Sequence, residues 1–200
     1  LPHAHEVLIR TSACGVCRSD LNFVDGKYPH AMPCVPGHEA AGIVEAVGSE
    51  VRTVRVGDAV VTCLSAYCGQ CTFCVTGRLS LCLGADTRRA KNAPPRLARG
   101  DGSAVAQMLN LSAYAEQMLV HEHACVRIDP DMPLDRAAIL GCAVVTGAGA
   151  VFHAADVSPG ESVCIVGCGG VGLAAVAGMI AAPVASVYPN MGSQVLIMCF

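Results

Sequence analysis

The sequence predicts a mainly β first domain with a cysteine-rich lobe, followed by the opening of a parallel α/β unit. Three observations carry this. The first half is built of short β-branched or alternating segments, four cysteines crowd into residues 68–82, and after Ser162 an apolar strand runs through a glycine-rich turn into a helix.

The strands come first. EVLIRTSA (6–13), AGIVEAVG (41–48) and DAVVTCL (58–64) are β-branched or alternating and bounded by Gly, Pro or Asp, which reads as strands. CRSDLNFVDG (17–26) suits a helix of one or two turns that Gly26 ends. DTRRAKNAPPRLARGDGS (86–103) holds five of the thirteen basic residues and is expected to be a solvated loop, since it lacks the interleaved aromatics of a nucleic-acid surface. LDRAAILGCAVVTGAGAVFHAAD (134–156) is Ala-rich, reads as helical and is expected to bridge two domains.

The composition agrees. The 200 residues are 53% hydrophobic and 14% charged, enough apolar material for a core and too little charge for a disordered chain. Acids outnumber bases 16 to 13, which excludes a globally basic nucleic-acid binder. No basic start leads into an apolar run at the N-terminus, so no secretory signal is expected, and the thirteen cysteines read as metal ligands or core thiols rather than disulfides.

Cys68, Cys71, Cys74 and Cys82 follow the spacing C-x2-C-x2-C-x7-C, with Gly69 and Gly77 giving the loop its backbone freedom. Four thiolates close a tetrahedral shell around Zn²⁺, a structural site with no open position; an iron–sulfur cluster uses similar spacings. Cys63, Cys125, Cys164 and Cys199 lie in apolar runs and read as small buried hydrophobes. Cys14 and Cys17 form a C-x-x-C that in isolation suits a redox pair, and Cys34 has no evident partner.

A longer pattern begins at Gly37: G-H-E-x2-G-x5-G-x2-V, made by Gly37, His38, Glu39, Gly42, Gly48 and Val51. Near the other end, SVCIVG leads into GCGGVG and then LAAVAGMIAA. In G-x-G-x-x-G terms the glycines are Gly167, Gly169 and Gly172, with Gly170 extra. Such a turn permits a tight bend, close backbone approach to a pyrophosphate and close packing of helix on strand.

With these motifs in this order, the chain resembles the zinc-dependent medium-chain alcohol dehydrogenases over roughly residues 5 to 180. GHE matches that family's zinc signature, CGVCRSD its first catalytic zinc ligand, the four-cysteine lobe its structural zinc, LGCAVVTGAGAV its third catalytic ligand and VGCGGVGL its nucleotide turn. The resemblance implies a GroES-like partly open barrel over 1–140, with the zinc lobe at 66–84, then linking helices and an incomplete Rossmann dinucleotide-binding domain over 141–200. It implies Cys17, His38 and Cys142 as catalytic zinc ligands, with Glu39 just behind the metal and Asp20 orienting His38. Ser19 would take the alcohol proton, Thr146 would sit beside the nicotinamide, and Arg18 with Gly167, Gly169, Gly170, Val171 and Gly172 would hold the cofactor. Many members carry a proton-passing His where this chain has Asn22. Two zinc ions, NAD or NADP, a small alcohol or aldehyde substrate, homo-oligomeric full-length relatives and a cytoplasmic setting follow; neither nucleic acid nor membrane is expected as a partner.

The pattern stops short. The acid that should bind the ribose falls near Met191, yet no Asp, Glu, Lys or Arg occurs from Ser162 to Phe200, and Pro189 lies where a second parallel strand should be. The expectation is a truncated or altered C-terminus, little activity, and an apolar surface left open at Val163, Ile165, Val166, Val171, Leu173, Val176 and Ile180. Two rivals remain: a membrane anchor through 163–187, and a non-catalytic zinc-stapled β domain.

Overall fold

The computed structural model describes residues 2–84, 87–90, 92–158, 161–181 and 194–198. The chain divides into two units, Leu1–Gly141 and Cys142–Phe200.

In the first unit, strands β1 (Glu6–Gly15), β2 (Cys34–Val35), β3 (Glu39–Val47), β4 (Ala59–Thr62), β5 (Leu97–Ala98), β6 (Ala104–Gln107), β7 (Gln117–His121) and β8 (Cys125–Arg127) form two open sheets. The larger is antiparallel in the order β7-β1-β3-β4-β8, and the smaller runs β2-β6-β5. Alternation in β1 sends Val7 and Ile9 into a core with Val44, Val60, Leu111, Met118 and Val120, all essentially inaccessible to solvent. Each such side chain contributes about 1.5–3 kcal/mol by leaving water. The β1–β3 register slips between Leu8 and Ile9 and again between Thr11 and Ala13. These bulges add twist and curl the sheet. Gly42 faces β1 between them, and a Cβ there would lie 2.2 Å from the Arg10 carbonyl oxygen, so the strands close only over glycine.

Helix α1 (Arg18–Val24) starts where the sequence places it. The Asp20 carboxylate accepts the Cys17 N–H at 2.9 Å, satisfying a donor that the helix start leaves open. Gly26, at φ +70°, follows its end. Short helices α2 (Thr72–Val75) and α3 (Leu134–Ala137) complete the unit. A 3-10 turn follows α3 and ends at Gly141, where a Cβ would lie 1.7 Å from the Thr62 carbonyl oxygen.

Most described residues of the basic segment 86–103 are exposed, as its composition suggests, but two of its arginines are not. Arg89 and Arg96 turn inward, their side chains 13% and 7% exposed, to meet Glu6 on β1. Both donate Nε to Glu6 Oε1, at 2.9 and 2.7 Å, and Arg89 Nη2 reaches Oε2 at 2.6 Å. These two charges are held inside the fold because one buried carboxylate can accept two guanidinium forks at once.

In the second unit, α4 (Ala143–Gly149) runs on into a π-helical turn at Ala150–Ala154, followed by β9 (Ser162–Val166), α5 (Gly170–Ala181) and β10 (Gln194–Met198). β10 lies parallel to β9, Gln194 opposite Ser162. Pro189 and Met191 lie outside the described residues. α4 meets α5 at Gly147, where a Cβ would stand 2.3 Å from the Val171 carbonyl oxygen. Val151, Val163, Ala175 and Met179 form the core, so Val163 is buried rather than open. Val166, Leu173, Val176 and Ile180 are exposed, as the sequence suggests. Of the proposed span 163–187, the described part is a strand and a twelve-residue helix. Among the described residues no single helix is long and apolar enough to cross a membrane; the broken pair Leu134–Gly141 and Ala143–Ala154 passes on length and composition alone.

Candidate metal centres

The lobe around α2 gathers four sulfurs. The Sγ atoms of Cys68, Cys71, Cys74 and Cys82 all lie within 4.8 Å of one another. Cys71 and Cys74 stand 3.5 Å apart, Cys68 and Cys74 3.9 Å, and Cys71 and Cys82 3.9 Å. Zn–S bonds of about 2.3 Å in a tetrahedron require S···S of about 3.8 Å, so the donor set fits. Backbone amides point at the sulfurs: Cys68 N–H and Gly84 N–H donate to Cys82, and Cys71 N–H donates to Cys68. Backbone donors of this kind bring Cys71 down to about 6 and lower Cys82, whereas burial pushes Cys74 up to about 12. A divalent cation at such a set is bound by the sulfurs as thiolates.

The second set forms where β1, α1 and β3 meet. His38, 1% exposed, directly precedes β3, and Glu39 opens it at 4%. Asp20 on α1 is 2% exposed. Its Oδ1 lies 3.2 Å from His38 Nδ1 and accepts the Gly37 N–H at 3.0 Å. An ionised carboxylate only accepts, so the ring proton sits on Nδ1 and the lone pair on Nε2 is left for a metal. A Cys17 sulfur, a His38 ring nitrogen and a Glu39 carboxylate oxygen lie within 4.8 Å of one another. Among the described residues no Lys or Arg pairs with Asp20 or Glu39. Two buried carboxylates beside a thiol and an imidazole, with no protein cation to balance them, fit a divalent metal.

The other expected residues distribute as follows. Ser19 is half-buried on α1 beside exposed Arg18, and Asn22 is half-buried on the same helix. Cys142 is the first residue of the second unit and precedes α4; its carbonyl accepts the N–H of exposed Thr146 at 2.9 Å. Gly167 follows β9 at φ +100°, making the tight turn, and Gly169, Gly170, Val171 and Gly172 carry it into α5, with the Gly169 carbonyl accepting from Leu173. Cys14 packs against the β core, and burial pushes its thiol up to about 11, with the charges of Asp20 and Glu39 adding; it is a poor candidate for the thiolate of a redox pair.

Two features escape the sequence. Tyr114 reaches Asp20 across 94 positions, and Glu6 collects Arg89 and Arg96 from 83 and 90 positions away. No local spacing signals either one.

Comparisons agree with this architecture. The alcohol dehydrogenase GroES-like domain family matches residues 3–130. S-(hydroxymethyl)glutathione dehydrogenase of Saccharomyces cerevisiae is 40% identical over 182 residues, 88% of this chain and 47% of that protein. Alcohol dehydrogenase B of Mycobacterium tuberculosis is 41% identical over 185 residues, 90% of this chain and 49% of that protein. The solved structure of an alcohol dehydrogenase zinc-binding domain protein from Burkholderia ambifaria superposes with a TM-score of 0.83 at 33% identity, over 98% of this chain and 52% of that one. The chain thus spans about half the length of the curated relatives it matches. With the GroES-like match covering most of its first unit, and the four-cysteine set and the Cys17–His38 set both assembled within that fold, the chain belongs to the zinc-dependent medium-chain alcohol dehydrogenase family.

Proposed function

We propose that this chain supplies the metal-binding half of an enzyme that interconverts an alcohol with its aldehyde or ketone by hydride transfer to or from NAD or NADP. The observation that carries it is the convergence of Cys17, His38 and Glu39, with Asp20 fixing the ring of His38. Cys142 is assigned as the remaining protein ligand; its support is the family motif and its direct attachment to Gly141, which is locked against Thr62. A zinc ion held there supplies Lewis acidity to a bound alcohol oxygen. Within the chain, Ser19 is assigned to accept the alcohol proton, Asp20 to keep Nε2 of His38 aimed outward, and the Gly167–Gly172 turn to bind pyrophosphate through backbone amides at the start of α5. Thr146 and Arg18 are assigned to the nicotinamide side and the pyrophosphate.

A second zinc is assigned to Cys68, Cys71, Cys74 and Cys82 as a closed structural site, giving two per chain. A reducing, cytoplasmic compartment suits the free cysteines of the described residues. Among the described residues the cofactor unit offers two parallel strands, where a dinucleotide needs two mononucleotide halves. The 200-residue chain is therefore expected to bind zinc and to turn over alcohol weakly or not at all.

The test is a zinc assay beside a nicotinamide-cofactor titration on the 200-residue chain, followed by Ser19→Ala in a full-length protein. Two zinc ions per chain, and a variant that loses turnover while keeping its zinc, support the reading. One zinc per chain favours the non-catalytic β domain, and unchanged turnover removes Ser19 from the mechanism.

A further inference from the structure

Asp20 is the most heavily solicited carboxylate beside the second metal set. Oδ1 takes Gly37 N–H and His38 Nδ1–H, while Oδ2 takes Cys17 N–H at 2.9 Å and faces the Tyr114 hydroxyl at 3.1 Å. The phenol has one hydrogen and two acceptors within reach, since the Gly15 carbonyl oxygen lies at 3.2 Å. A charged acceptor makes the stronger bond, so the hydrogen belongs on Asp20. Tyr114 is itself held in place. Its N–H donates to the Pro36 carbonyl, and Ala113 N–H donates to that of Gly37. Its ring lies so close to Gly37, at φ +96°, that a Cβ there would stand 2.8 Å from ring carbon Cδ1. The phenol therefore joins the end of β1, the start of α1 and the turn before His38 at one carboxylate.

We infer that Tyr114 is a positioning residue for the Cys17–His38 metal centre: its hydroxyl fixes the Asp20 carboxylate, and through it the direction of His38 Nε2. The inference rests on the proposed function above, because it assumes that this centre takes zinc. Removing a hydrogen-bond partner that stands behind a ligand typically costs 10–100-fold in metal affinity. Tyr114 stands one step further back than Asp20, so the loss expected from its hydroxyl alone is about tenfold, at the low end of that range.

The test is chelator competition for zinc in the 200-residue chain and its Tyr114→Phe and Asp20→Asn variants, with thermal unfolding alongside. Phe keeps the ring against Gly37 and removes only the hydroxyl. The expected result is two zinc ions in the parent chain. In Tyr114→Phe the Cys17–His38 site weakens about tenfold and the four-cysteine site is unmoved. Cobalt placed at the Cys17–His38 site should show a shifted visible spectrum in that variant, which a stability change alone would not produce. If Tyr114→Phe binds both ions as the parent does while Asp20→Asn loses one, the role of Tyr114 is overturned and the site reading stands. If the parent chain takes up only one zinc, both fall.

Discussion

Glu6 Oε1 and Arg96 Nε lie 2.7 Å apart, an ion pair with side chains 4% and 7% exposed that ties β1 to the basic segment ninety residues later. Arg89 closes the other side of the same carboxylate. Glu6→Gln removes the anion and leaves two guanidinium groups buried without it. Breaking a buried pair on one side costs about 3–5 kcal/mol. Equilibrium urea unfolding should show that loss, and a variant with the parent midpoint would mean the pair contributes nothing.

Acid should weaken the fold in two windows. Burial, followed by the neighbouring charge of His123, lowers His121 from 6.5 to about 4, so the folded state holds it neutral. The unfolded chain takes that proton first, and stability falls as pH drops from 6.5 toward 4. Burial raises Glu6, but the hydrogen bonds from Arg89 and Arg96 outweigh it and hold the carboxyl at about 2, below its ordinary 4.5. Its contribution is complete above 4.5 and is lost as pH falls toward 2. Each window is worth about 3 kcal/mol. In unfolding measured against pH, His121→Gln should flatten the upper window and Glu6→Gln the lower; identical profiles would refute both assignments.

Cys82→Ser should reduce bound zinc by one ion per chain and loosen residues 66–84. Cys82 accepts amide hydrogens from Cys68 and Gly84, and the lobe has little apolar packing to replace the metal. Leu79, Leu81 and Leu83 are already exposed there. Hydrogen exchange should show protection lost in the lobe and kept in β1 and β3. Full protection across 66–84 would show that the lobe holds itself without metal.

Gly42→Ala would place a methyl 2.2 Å from the Arg10 carbonyl oxygen, a backbone atom that cannot swing aside. Overpacking of this kind costs about 1–3 kcal/mol. The thermal midpoint should drop while zinc content stays at that of the parent chain. An unchanged midpoint would mean that β1 and β3 separate more easily than their register implies.

What the sequence made legible was local. The four-cysteine lobe follows from spacings of two and seven residues, and α1 from the short segment 17–26 that Gly26 ends. The glycines at 37 and 42 were legible only as members of a pattern, and the structure supplies their reason in the close approach of Tyr114 and of the Arg10 carbonyl. In segment 86–103 charge density marked solvent for most described residues, but not for Arg89 and Arg96, whose partner Glu6 sits among the apolar residues of β1. Tyr114 gave no sign, being one aromatic in an ordinary run whose role depends on a carboxylate 94 positions earlier.

The placement of β1 between β3 and β7 bears on how the chain is made. Val7 pairs with Val47 on one side and with Val120 on the other. At about 5–20 residues per second of synthesis, β1 waits about 5 to 20 s for its second neighbour to emerge. Through that interval one edge of the strand that will be central stands open beside apolar side chains, in a topology whose long loop closures are slow. Newborn chains should therefore lean on cellular holding factors until residue 121 has cleared the ribosome, and refolding from denaturant should grow less efficient as protein concentration rises.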